Sequence, residues 1–255
     1  MVEQCFRSSI DTHLDQWVSR DSPHYELTRQ FALGRLAEGQ QLASFFESCF
    51  IESSIRVLDL GAGNGGVSIG LANHARYQVT ALDILVNEQL RELKTCTMVP
   101  TQQIVGSGHL LPFKGSSFDL VLCLETIEHV PDPRKLGREI MRILRPGGLC
   151  MITTPARIRH LAAPDPHYGV RGLLLLPDSL QRYMVTTFLR RSQTYDVEHV
   201  FWSRYGITRH FPNAARVETL INIPWPGIPR TPRQILWYLL RAFLWDRIIV
   251  HKRKL

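Results

Sequence analysis

Ten residues constrain this chain more than any others: Val57-Leu-Asp-Leu-Gly-Ala-Gly-Asn-Gly-Gly66. The apolar run Arg56–Leu60 reads as a strand, and Val67–His74 reads as a helix. Between them Gly61, Gly63 and Gly65 permit a tight turn and a close approach of bare backbone to a ligand. A strand, a glycine turn and a helix in succession open a parallel α/β sheet, and such sheets bind ligands at the carboxyl ends of their strands. The same rhythm continues downstream. Gln78–Asp83, Thr101–Val105, Phe118–Leu124 and Leu149–Thr154 read as strands, and Glu88–Lys94 and Asp132–Leu144 as helices. Strands and helices alternating at this spacing predict a doubly wound α/β sheet covered on both faces. Glu26–Phe50 carries apolar residues at helical spacing and predicts a helix packed on the sheet, with a lid over a pocket as the alternative. Leu180–Arg191 reads as a further helix and Ala215–Ile223 as a late strand.

Asp83 ends the second strand, 22 residues after Gly61, where an acid can hold two ribose hydroxyls. A dinucleotide and a nucleoside both fit that much. Two details favour the nucleoside. The spacing Gly61-Ala-Gly63-Asn-Gly65 departs from G-x-G-x-x-G, and the Asp59 carboxylate just before the turn suits an amino-bearing ligand better than a pyrophosphate.

The run Asp59-Leu-Gly61-Ala62-Gly63-Asn64-Gly65 resembles the D-x-G-x-G-x-G motif of class I S-adenosylmethionine-dependent methyltransferases, which share a Rossmann-like sheet. Leu111–Asp119, Leu124-Glu-Thr-Ile-Glu-His-Val-Pro-Asp-Pro133 and Leu144-Arg-Pro-Gly-Gly148 resemble the ubiquinone and menaquinone biosynthesis subgroup, the Glu-His-Val-Pro-Asp-Pro run being closest to its O-methyltransferases. The resemblance spans roughly residues 54–155. It implies S-adenosylmethionine as cofactor, with Asp59 and Gly61 on the methionine part, Asp83 on the ribose, Ile84 on the adenine, and Leu124 and Glu125 bordering the methionine end. It departs at Ser107, where the family often has an acid reaching the adenine amine.

Methyl transfer from a sulfonium is an in-line displacement, and alignment alone supplies up to about 7–11 kcal/mol in ideal cases. An oxygen acceptor also gains from a general base. His129, just past the fourth strand, is the leading candidate, and a capping or loop role is its alternative. His160, His167 and Tyr168 sit in a proline-punctuated loop after the fifth strand, a position where the resemblance implies an acceptor pocket. Arg157, Arg159 and Arg171 accompany them. Glu125, Glu128 and His129 together also offer a divalent-metal set that would lower the pKa of a phenolic acceptor. A solvated acidic turn is the plainer reading of the same residues.

The chain divides into an N-terminal helical cap (1–53), a methyltransferase-like domain (54–229, with the acceptor side at 155–214) and a tail (230–255) expected to be an amphipathic helix. Lys and Arg number 30 against 23 Asp and Glu, a net charge of +7. Seven of those bases and a single acid, Asp246, lie in residues 230–255, so the tail carries +6 and the remaining chain +1. A near-neutral body makes nucleic acid an unlikely partner. Trp237, Tyr238 and Trp245 beside Arg233, Arg241 and Arg247 fit an anionic membrane surface instead, with docking on the body or on a second copy as the alternative. No secretory signal and no run of about 18 uncharged apolar residues is visible. The five cysteines are widely spaced, with no C-x-x-C pair. They predict reduced thiols in a cytoplasmic protein, peripheral on a membrane at most. The expected activity is O-methylation of a small lipidic, quinone-like or glycolipid acceptor. Nucleic-acid methylation and non-catalytic cofactor binding are the alternatives.

Overall fold

A computed structural model describes residues 2–16, 18, 20–21, 25–85, 88–97, 101–155, 157, 170–188, 198–199, 201, 204–220 and 247–254. Its strands are β1 (Ile55–Leu60), β2 (Tyr77–Asp83), β3 (Thr101–Val105), β4 (Phe118–Leu124), β5 (Leu144–Thr153), β6 (Ala214–Leu220) and β7 (Arg247–Lys252). They form a mixed sheet in the order β3-β2-β1-β4-β5-β7-β6. This is the Rossmann-like α/β fold expected from the alternation. The chain divides into two compact units, Met1–Leu122 with Ile143–Arg145, and Cys123–Arg142 with Pro146–Leu255.

In the first unit β1 runs parallel to both β2 and β4, and β2 runs parallel to β3. These strands are apolar on both sides because both faces are covered: Val57, Leu58, Leu120, Val121 and Leu122 are fully or almost fully buried. Helices α1 (Val2–His13), α2 (Tyr25–Phe46), α3 (Gly66–Ala72) and α4 (Glu88–Thr97) belong to this unit. All seven residues of α3 are buried. Its Gly70 and the Gly39 of α2 lie at a helix crossing so close that a methyl group on either would overlap backbone of the other helix, on the Leu36 and Val67 carbonyl oxygens respectively. Asp119, buried at the start of β4, is held by Arg56 at 3.2 Å and Arg145 at 2.9 Å. It also accepts the backbone N–H of Arg56 at 2.7 Å. Cys5 in α1 is disulfide-bonded, whereas Cys49, Cys123 and Cys150 are free thiols. The expectation of uniformly reduced cysteines therefore fails at Cys5. Nothing in the spacing of the five cysteines marks Cys5 as bonded.

The second unit contains α5 (Pro133–Ile143, all but its last residue), α6 (Asp178–Tyr183), which continues as a π-helical turn over Met184–Phe188, and α7 (Arg204–Thr208). Asp132 starts α5, its carboxylate accepting the N–H groups of Arg134 at 2.9 Å and Lys135 at 3.0 Å. In the sheet β7 runs antiparallel to β5 and to β6.

Strand β7 corrects the tail. Residues 247–252 are not part of an amphipathic helix. They form a strand that buries three consecutive residues, Ile248, Ile249 and Val250, between two neighbouring strands. Three consecutive β-branched residues have low helix and high strand preference, and two neighbouring strands supply the burial. Residues 221–246, including the aromatic cluster, lie outside the described residues. Removing residues 247–255 is accordingly expected to unfold the β5-β7-β6 sheet. Limited proteolysis of the truncated chain checks this, and an intact, protease-resistant product would refute it.

Candidate functional site

The glycine turn in the first unit is built as its sequence requires. Gly61, Gly63 and Gly65 have φ of 78°, 51° and 77°, a left-handed backbone that only glycine adopts without cost. The Gly61 and Ala62 N–H groups donate to the Leu82 carbonyl at 2.8 and 3.1 Å, so the turn is tied to the end of β2. A side chain at Gly65 would run into Leu90 of α4, whereas one at Gly63 would meet nothing within 4 Å. Gly65 is thus glycine for packing as well as for φ, and Gly63 for φ alone.

Asp83 faces the same turn. One carboxylate oxygen accepts the Gly63 N–H at 2.9 Å and the other the Leu85 N–H at 3.3 Å. Each oxygen keeps a further lone pair, and the group is only partly buried, so it retains capacity for two hydroxyl donors. Ile84 and Leu85, next in the chain, are each 70% exposed. Val105, which ends β3 opposite Asp83, and Leu110 are exposed as well. A carboxylate with further acceptor capacity beside exposed apolar side chains and a glycine turn fits a nucleoside. Ser107 is also exposed, and its hydroxyl accepts the His109 N–H at 3.3 Å.

Two residues of the motif have duties within the protein. Asp59 is 1% exposed and accepts the Ser68 hydroxyl at 2.6 Å. Burial lifts its pKa above the ordinary carboxylate range, opposed by the Ser68 hydrogen bond and by Arg35. Asn64 is buried; its amide donates to the Ala32 carbonyl of α2 at 3.3 Å and its oxygen accepts the Gly66 N–H at 2.9 Å. Asn64 therefore pins the turn to α2 while satisfying the first turn of α3. Sequence reasoning missed Ser68 and Ala32, whose roles depend on tertiary approach.

In the second unit Leu124 is buried at the end of β4, and Glu125 follows with φ 52°. The Glu125 N–H donates to the Thr153 carbonyl at 3.0 Å and lies 3.1 Å from its hydroxyl, which fixes this unfavourable backbone. Glu128 is 1% exposed. Its pKa is raised well above the usual range, first by burial and then by the neighbouring Glu125 carboxylate. The Glu128 carbonyl accepts the N–H groups of Glu198 at 2.8 Å and His199 at 2.9 Å. His129 is exposed at the end of the short 3-10 turn Ile127–His129.

The metal reading does not fit. Glu128 is buried and the adjoining His129 is exposed, so the three side chains do not converge, and among the described residues no cluster of three or more His, Cys, Asp or Glu is arranged to hold an ion. Adjacent residues of a tight turn point apart, which spacing in sequence conceals. Arg157 is buried and ion-paired with Asp178 at 2.8 Å. Arg159, His160, His167 and Tyr168 lie outside the described residues.

A carboxyl that is harder to ionise in the fold costs stability as it ionises. That stability is complete below its unfolded pKa of about 4.3 and is lost as pH rises towards the raised folded value. Glu128→Gln is therefore expected to melt higher than the parent at pH 8, by about 2–4 °C for each kcal/mol relieved. The difference should shrink towards pH 4. Melting curves at both pH values check this, and a gap independent of pH would refute it.

Residues 58–152 match the family model described as methyltransferase domain. The chain carries a methyltransferase domain. The ubiquinone biosynthesis O-methyltransferase of Xylella fastidiosa (strain M23) is 33% identical over 138 residues, covering 51% of this chain and 54% of that protein. The chain thus spans about half the length of the curated relatives it matches. Among solved structures, the PH0226 protein of Pyrococcus horikoshii OT3 has a TM-score of 0.57 at 19% identity, covering 94% of this chain and 96% of its own. The cyclase SpnF has a TM-score of 0.55 at 14% identity, covering 99% and 95%. At such identities the two structures establish the fold of the methyltransferase domain and leave its reaction open. Among the described residues no helix is long and apolar enough to cross a membrane.

Proposed function

We propose that this protein transfers a methyl group from S-adenosylmethionine to an oxygen of a small acceptor. The observation that carries the reading is Asp83: a half-buried carboxylate whose two oxygens each keep acceptor capacity, at the glycine turn and beside the exposed Ile84 and Leu85. In this reading Asp83 holds the ribose hydroxyls, Ile84 covers the adenine, and Gly61, Ala62, Gly63 and Gly65 supply the close backbone. Ser107 takes the place of the acid that the resembled family often has near the adenine amine. Leu124 and Glu125 border the methionine end, as the resemblance implies. Asp59 and Asn64 act through the turn, keeping it in shape.

The cofactor supplies an electrophilic methyl on a sulfonium. The protein's own part is to align the acceptor, exclude water and take its proton. His129, with His167 and Tyr168, carries the base role in this reading. A neutral imidazole within reach of a hydroxyl can accept its proton.

The identity of the relative in Xylella fastidiosa supports an oxygen acceptor of quinone type. The composition of residues 233–246, with Trp237, Tyr238 and Trp245 among arginines, supports contact with an anionic membrane surface. That contact is tested with Trp237→Ala and Trp245→Ala, which leave β7 in place. Both should reduce co-sedimentation with vesicles containing phosphatidylglycerol, and equal sedimentation would refute it. The reaction is tested with labelled S-adenosylmethionine and a cell extract separated into lipid, nucleic-acid and soluble fractions. Label in the lipid fraction is expected. Label in nucleic acid would favour the alternative acceptor, and none in any fraction would favour a binding module.

A further inference from the structure

Helix α5 is amphipathic, and its outer face is cationic. Leu136, Ile140 and Ile143 are buried, whereas Arg134, Lys135 and Arg138 are exposed. Arg134 and Arg138 are four residues apart and so share one side of the helix. Further along, Arg142 is neutralised by Glu139 at 2.8 Å. Arg134, Lys135 and Arg138 have no ion-pair partner among the described residues. On other helices an acid stands beside an exposed arginine: Arg7 pairs with Glu3 and Arg91 with Glu88, each at 3.2 Å. The first turns of α5 lack that neutralisation.

A second element widens this face. The turn that follows α7 lies directly on α5, where a methyl group on Gly137 would overlap the His210 carbonyl. Arg209, the residue before His210, is exposed and has no ion-pair partner among the described residues. His210 is buried, and burial first, then Arg209 and Arg134, hold its pKa below the usual imidazole range. The two arginines therefore act on one ring, one from the α7 turn and one from α5. Tyr205, whose carbonyl accepts the Arg209 N–H at 3.2 Å, is 62% exposed. Against Arg134, Lys135, Arg138 and Arg209 stands Asp132, which caps α5; four cations less one acid leave +3.

We propose that the outer face of α5, together with Arg209, is a docking surface for an anionic lipid bilayer. Charge complementarity selects the occupant. All four cations are exposed rather than drawn into a cleft, which suits a broad anionic plane better than a single phosphate group. Tyr205 beside them has the amphipathic ring that favours the bilayer interface. Each cation near such a surface strengthens binding about fivefold, which is about 1 kcal/mol. Helix α5 begins where the turn after β4 ends, so a bilayer docked on it lies beside the segment read as bordering the methionine end. This inference rests on the membrane reading above and assigns it a surface other than residues 233–246.

The test is co-sedimentation of the full chain with vesicles of phosphatidylglycerol and phosphatidylcholine at about 0.15 M salt, where charges more than about 8 Å away are screened. Arg134→Gln with Arg138→Gln is expected to lower the partition coefficient about 30-fold, two cations at about fivefold each. Both side chains are exposed, so the fold is kept. Arg7→Gln with Arg91→Gln changes the net charge equally on α1 and α4 and should sediment as the parent does. An α5 pair that sediments like the parent would overturn the surface. An equal loss in both pairs would overturn it too, because net charge alone would then be the cause. If the parent does not sediment, the membrane reading fails and the surface with it. If the α5 pair loses binding to transfer RNA while vesicle binding is unchanged, nucleic acid is the occupant and the proposal is overturned.

Discussion

Asp83→Ala is expected to weaken binding of S-adenosylmethionine by about 100-fold or more while leaving the fold intact. Hydrogen bonds to a charged group contribute about 1.5–3 kcal/mol each, and the proposed role gives the Asp83 carboxylate two of them to the ribose. The variant also removes the acceptor of the Gly63 N–H, which sits at the exposed side of the turn and can turn to water. The main loss is therefore in binding rather than in stability. Asp83→Asn separates the two contributions. It retains one acceptor for the Gly63 N–H but loses the charge and one set of lone pairs, so its affinity should fall between parent and alanine variant. Calorimetry with the cofactor or its demethylated product measures both. Unchanged affinity in Asp83→Ala would remove the central support for a nucleoside site.

Much of this site was legible in the sequence because its constraints are local. A left-handed turn needs glycine at set positions, and Gly61, Gly63 and Gly65 stand where the positive φ values fall. Asp83 is the last residue of β2, as the strand pattern required. The central strands are legible for the same reason, since both-face burial writes itself as an unbroken apolar run such as Phe118–Leu124. What stayed hidden depends on residues distant in sequence. The Asp59 carboxylate reads as ligand-facing until Ser68 is found 2.6 Å from it. Glu128 and His129 look like neighbouring ligands until a 3-10 turn buries one and exposes the other. Ile248–Val250 reads as the end of a helix only because aromatic and basic residues lie upstream, whereas its β-branched side chains fill a sheet.

The helix crossing beneath the turn shows the same dependence on distant residues and yields the largest expected effect on stability. Gly70→Ala adds one methyl to α3, and that methyl would overlap the Leu36 carbonyl and crowd the Gln40 nitrogen of α2. Backbone cannot step aside as a flexible side chain can, so the helices must separate. Intrinsic preference points the other way, because alanine inside a helix is favoured over glycine by about 1 kcal/mol. Overpacking of this kind costs about 1–3 kcal/mol and occasionally more, and separating two buried helices adds voids along the rest of their contact. A net loss of about 2–3 kcal/mol is expected, which lowers the melting temperature on the order of 5–10 °C for a protein of this size. Gly34→Ala, in the same helix α2 with nothing within 4 Å of the added methyl, should instead be neutral or slightly stabilising. The pair of melting curves therefore separates close packing from helix preference. If Gly70→Ala melts with or above the parent, α2 and α3 do not cross at their glycines, and α2 loses its place as the wall to which Asn64 ties the turn.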